Sequence, residues 1–94
     1  MGRFDIAFGK AHGALALGMG SRALMARAEQ QPYFVAAATA ATGGSLIPVP
    51  GGVLVRDSAG DVVGAVGVSG DTSDNDEAAA VAGIETAQLV AQAD

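Results

Sequence analysis

Apolar positions recur along this chain at two different periods. From Asp5 to about Met19, Phe4, Phe8, Ala11 and Leu15 follow the i, i+4, i+7, i+11 spacing of one helical face. Gly9, Gly13 and Gly18 sit within that helix, each costing about 1 kcal/mol relative to Ala. Small residues in a helix that tolerates such a loss permit close packing against another backbone. Ser21 is placed to cap a second helix that runs to Arg27 or Glu29. Pro32 stops it and suits the first turn of a third helix, Tyr33 to Thr42, which Gly43-Gly44 ends.

The period then shortens. Leu46-Ile47 reads as a short strand interrupted by Pro48 and Pro50, which cannot donate to a ladder. Val53 to Arg56 and Val62 to Ser69 are two clear strands, with Val53 and Val55 on one face and Val62, Val66 and Val68 on one face of the second. Between them Asp57-Ser58-Ala59-Gly60-Asp61 suits a hairpin loop with Gly60 in the left-handed region. Asp74 with Glu77 three residues on resembles a capping box. Ala80, Val81, Ile84, Ala87 and Ala91 make the buried stripe of the helix that follows. Two strands and a fragment are few for so many helices. An isolated hairpin is marginal and its edges lie open, so the expectation is a chain incomplete without a partner chain or an N-terminal fragment.

Composition narrows the function classes. At 94 residues the chain is one domain, 1–94. Half of it is hydrophobic, but it holds only three Phe, one Tyr and no Trp, so the core is thin and close-packed. The net charge of −5 excludes a nucleic-acid surface, which needs basic residues against phosphates, and disfavours an anionic membrane. The uncharged run from Gln30 to Val55 is long enough to span a bilayer, but its Gly and Pro pairs break any spanning helix. Met1-Gly2 opens like a myristoylation signal, yet Ile6 stands where Ser or Thr is required. With no signal peptide visible, the expected location is cytoplasmic. There are no cysteines, hence no disulfide or thiolate metal site.

The chemistry-bearing residues are sparse. His12 is the only histidine; it is either an axial haem or metal ligand or a plain surface or interface histidine. Asp71, Asp74, Asp76 and Glu77 invite a calcium loop, but Asp76 stands where that loop needs Gly and Ala82 where it needs Glu; capping and solvation account for the acids instead, and the metal stays unknown. Gly64, Gly67 and Gly70 with Ser69 form neither a dinucleotide fingerprint nor a phosphate loop, and close helix approach explains such strand glycines. The corner from Pro48 to Gly52 is either a pocket wall or a plain bend. Ser45 and Ser69 lack a nucleophile elbow, and no catalytic constellation is visible.

Several segments carry a family resemblance. Asp5-Ile6-Ala7 with Lys10-Ala11, Leu46 to Gly52, Val63 to Gly70, and Asp76-Glu77 resemble the GlcG/HbpS-like haem-binding and haem-degrading-type proteins, a family related to the C-terminal domain of a cobalamin adenosyltransferase. The resemblance implies an α+β fold, a small antiparallel sheet covered by helices in a profilin-like layer. It also implies an N-terminal helix and β-hairpin ahead of Asp5, which this sequence lacks, and assembly into a homo-oligomer or with a fragment carrying them. The implied function is non-enzymatic small-molecule binding or an accessory role, with haem or another tetrapyrrole as ligand. The alternative is a small catabolic enzyme or accessory subunit of glycolate, diol or aromatic metabolism with a pocket at a subunit interface. The expected ligand-binding residues are Pro48, Gly51, Gly52, Asp76, Glu77 and His12; none is expected to be catalytic.

Overall fold

The structure, a computed structural model, describes residues 2–94; Met1, and with it part of the reading of Met1-Gly2, lies outside the described residues. In chain order the elements are α1 (Arg3–Leu17), α2 (Ser21–Gln30), α3 (Pro32–Ala41), β1 (Gly52–Arg56), β2 (Val62–Gly67), α4 (Ser73–Thr86) and β3 (Val90–Gln92). The three strands form one antiparallel sheet in the order β2-β1-β3. Helices α1 and α2 lie on one face and α4 on the other, with α3 against α2. The architecture is α+β, as expected.

The β1–β2 hairpin follows its sequence pattern. Asp57 accepts from the backbone of Ala59 and Asp61 through Oδ1, and Gly60 takes a φ of 88°. Alternation along β1 sends Val53 and Val55 toward α4, where they meet Ala80 and Ile84. Gly52, one step away, turns to α1.

That α1 face departs from the sequence reading. Phe4, Phe8 and Leu15 share a stripe, but it faces solvent at 78%, 49% and 52% exposure. The buried face is Gly9, Lys10, Gly13 and Ala14. Gly52 and Gly67 are cross-strand partners, and a methyl on either would run into α1 backbone, at the carbonyl of Lys10 or of Ala7. Helix and sheet are thus in backbone contact, and no ring fits between them. Gly9 and Gly13 serve the same close approach on the next segment, receiving Ile47 and Leu46.

Three other expectations are corrected. Leu46-Ile47 is not a strand: with Pro48 and Pro50 unable to donate, the segment packs on α1, and the Ile47 N–H donates to the Gly9 carbonyl at 3.3 Å. Ser21 does not cap α2, whose N-cap is Gly20; its hydroxyl bonds Gly52, accepting from the N–H at 2.7 Å. The last helix ends at Thr86, Gln88 reverses the chain at a φ of 63°, and Ala91 lies in β3 opposite Val55. The third strand therefore comes from Val90–Gln92, and Ala87 is exposed.

Gly67→Ala should lower stability by about 1–3 kcal/mol in urea unfolding, because its methyl overpacks against backbone that cannot yield. Gly64→Ala, in the same strand but with nothing within 4 Å of the new methyl, should be neutral or gain up to about 1 kcal/mol.

Candidate functional site

Five of the six expected site residues fall into two groups on opposite sides of α1. The first gathers where the sheet meets the start of α4. Lys10 leaves α1 on its buried side and is only 2% exposed. Its Nζ donates to the Val68 carbonyl at 2.9 Å and to Asp76 Oδ2 at 3.2 Å. Asp76 is equally buried, and its Oδ1 accepts from the Asp71 N–H at 3.0 Å. Gly51, at a φ of 125°, leaves the space that the lysine amine fills. The lysine thus ties α1, the end of β2 and the first turn of α4 together.

Next to it, Arg22 on α2 reaches the same turn of α4. Its Nε donates to both carboxylate oxygens of Glu77, at 2.8 and 3.1 Å, and its terminal nitrogen to Asp74. Glu77 foremost, and Asp74 after it, hold the guanidinium above its ordinary pKa. The capping box expected at Asp74 and Glu77 is replaced by a cap two residues earlier: Thr72 is the N-cap and accepts from the Asn75 N–H at 3.2 Å. Asp74 and Asp76 still lie in the first turn, where negative charge suits the helix dipole.

Of the six expected ligand-binding residues, this cluster holds Gly51, Gly52, Asp76 and Glu77. Each has an internal partner: Lys10 against Gly51, Ser21 on Gly52, Lys10 and Asp71 on Asp76, Arg22 on Glu77. The donors and acceptors that would meet a ligand here are spent on the fold. Pro48 lies half-buried in the corner between Ile47 and Pro50. Lys10 and Arg22 are missing from the expected site residues. A lone helical Lys or Arg ordinarily marks a solvated face; the signal for Lys10 was its position between Gly9 and Gly13.

His12 stands apart, toward the exposed stripe. Its Nδ1 lies 2.9 Å from the Ser45 carbonyl. A carbonyl can only accept, so Nδ1 carries the proton and Nε2 keeps its lone pair in the neutral ring. The Phe8 ring stacks on the imidazole at 5.4 Å and 15°, and Phe4 stacks on Phe8 at 6.3 Å. Among the described residues Nε2 has no hydrogen-bond partner, and the ring sits on an aromatic ladder along the outer side of α1. No group of three or more His, Cys, Asp or Glu able to hold a metal ion occurs among the described residues.

A cleft of about 220 Å³ opens on the other face of the sheet, between α4 and β2, lined by Val55, Val66, Val68, Ala80, Ile84 and Leu89 among others. It offers apolar contact and no charged or metal-binding side chain. No helix among the described residues is long and apolar enough to cross a membrane.

Residues 1–85 match the family model described as haem degrading protein HbpS-like, and the chain belongs to that family. No curated protein and no solved structure matches it.

Lys10→Met should cost about 3–5 kcal/mol by leaving Asp76 buried and uncompensated. Combined with Asp76→Asn, which keeps the acceptor for Asp71, the loss in urea unfolding should be smaller than the sum of the two single changes. Thr72→Ala should cost about 1 kcal/mol, more than Asp74→Ala, whose carboxylate is mostly exposed.

Proposed function

We propose that this HbpS-like chain is a non-enzymatic binding protein for haem or a closely related tetrapyrrole, with His12 as the axial donor. The observation that carries the reading is the Nδ1 contact with the Ser45 carbonyl. Metal-ligating histidines characteristically hold their second ring nitrogen in such a bond, which fixes the tautomer and raises the basicity of the other. The family description supplies haem as the ligand class.

The donor chemistry fits. A tetrapyrrole presents a flat apolar ring and an iron that takes an imidazole nitrogen. Phe4, Phe8 and Leu15 offer apolar surface beside His12, and their exposure has no counterpart in the protein's own packing. The cleft under α4 fits less well: at about 220 Å³ it falls below the roughly 300–1,000 Å³ of pockets that take drug-sized ligands, and no donor lines it. The buried Lys10–Asp76 pair also offers nothing to a ligand, since its polar atoms are already matched. When bound, haem would supply iron coordination chemistry; the chain's part is to hold the ring through His12 and shield one side of it. The role is taken as binding because the ring contacts of His12 are to the Ser45 carbonyl and the Phe8 ring.

Titrating haem into the protein should give a sharp shift of the Soret band. In His12→Ala that shift should be lost, and added free imidazole should restore it. A wild-type protein that leaves the haem spectrum unchanged would overturn the proposal, and an unaltered shift in His12→Ala would remove His12 from it.

A further inference from the structure

We infer that Gly44 is the positioning residue of the His12 site: its turn fixes the Ser45 carbonyl against α1 and so holds the neutral imidazole in the form with the proton on Nδ1 and the lone pair on Nε2. The inference deepens the reading of His12 as a donor and rests on it for the use made of Nε2. It starts from the end of α3. Thr42 is the C-cap, the Gly43 N–H donates to the Ala40 carbonyl at 3.2 Å, and the Gly44 N–H donates to the Thr39 carbonyl at 2.8 Å. That pair of bonds is the Schellman arrangement, which needs one left-handed residue, here Gly43 at a φ of 70°. Gly44 is left-handed too, at 86°. The cap does not require this second residue, and it is the one that directs Ser45.

The chain beyond the turn is pinned as well. Leu46 is 3% exposed and lies over Gly13, and the Ile47 N–H donates to the Gly9 carbonyl at 3.3 Å. The Ser45 carbonyl is therefore held from both sides, by the turn before it and by the contacts with α1 after it. It meets His12 Nδ1 at 2.9 Å. A hydroxyl or an amide in that place could turn and donate instead; a backbone carbonyl can only accept. In free histidine the proton favours Nε2, the nitrogen a ligand would need, so the protein has to impose the other form. A fixed acceptor at Nδ1 does this before any ligand arrives.

Gly44 allows a clean test, because nothing lies within 4 Å of an added Cβ and a substitution there acts through φ alone. A β-branched residue is a strong outlier in the left-handed region, whereas Asn tolerates it. Gly60, at a φ of 88° with the same open space, sits in the distant β1–β2 loop and serves as the control. The measurement is 15N nuclear magnetic resonance of the imidazole in the ligand-free protein, at a pH where the ring is neutral; with one histidine in the chain the signals belong to His12. The wild type should carry its proton on Nδ1. Gly44→Val should move the two 15N shifts toward each other as the Nε2-protonated form appears, and Gly44→Asn should restore the wild-type pattern. Gly60→Val should lower the melting temperature and leave the pattern unchanged. Should Gly44→Val fail to fold, Gly44→Ala should show the same displacement on a smaller scale. A proton on Nε2 in the wild type would overturn the inference, as would folded Gly44→Val or Gly44→Ala protein with the wild-type pattern. A wild type with the proton on Nδ1, displaced by the Gly44 changes, that gives no Soret shift with haem would support the positioning role and overturn the haem reading alone.

Discussion

The structure depends on how closely α1 lies on the sheet. Gly52 and Gly67 face each other across β1 and β2, and both present bare backbone to the helix. On the helix, Gly9 and Gly13 remove side chains from the same side, so Ile47 and Leu46 can settle there. Four glycines on three segments thus set one distance. The cost to helix propensity is real, and it is offset by burial of Leu54 and Ala14 in a chain with few large side chains.

Two consequences follow from that distance. The aliphatic stem of Lys10 is long enough to cross the end of the sheet, because the helix from which it springs is already close. Its amine then meets Val68 and Asp76 and fixes where α4 begins. Arg22 repeats the link from α2 through Glu77 and Asp74. The second consequence is displacement. A surface with no room for a methyl has none for a phenyl ring, so the aromatic residues of α1 occupy its outer side. His12, held by Ser45 and stacked on Phe8, goes with them. The packing requirement of one face of α1 thereby leaves an exposed aromatic surface on the other.

Much of this was legible in the residues. The hairpin around Gly60, the third helix behind Pro32 and the α+β class follow from turn chemistry and periodicity, which are local. The misreadings share a cause. Phe4, Phe8 and Leu15 do form an apolar stripe, but periodicity reports that a stripe exists and not which way it faces; the glycines carried that information. Ser21 and Asp74 are good caps in isolation, and each was drawn instead into a contact with a distant segment. Ala91 reads as helix because Ala favours it, while Gln88 breaks the helix from the left-handed region, where non-glycine residues are uncommon. Gly51, Gly52, Asp76 and Glu77 lie around Lys10 and Arg22, whose burial or pairing no spacing rule announces.

The orientation of α1 underlies the fold and the site together, and the lack of cysteine makes it directly measurable. Single cysteines introduced as Phe8→Cys and Ala14→Cys can be labelled with a thiol reagent in the native, ligand-free protein. With the glycine side inward, the cysteine at position 8 should react nearly as fast as in the unfolded chain, and that at position 14 should stay protected until the protein unfolds. Protection at 8 with rapid labelling at 14 would mean that the aromatic side of α1 faces the sheet, which contradicts both the backbone contact at Gly52 and Gly67 and the exposed surface around His12.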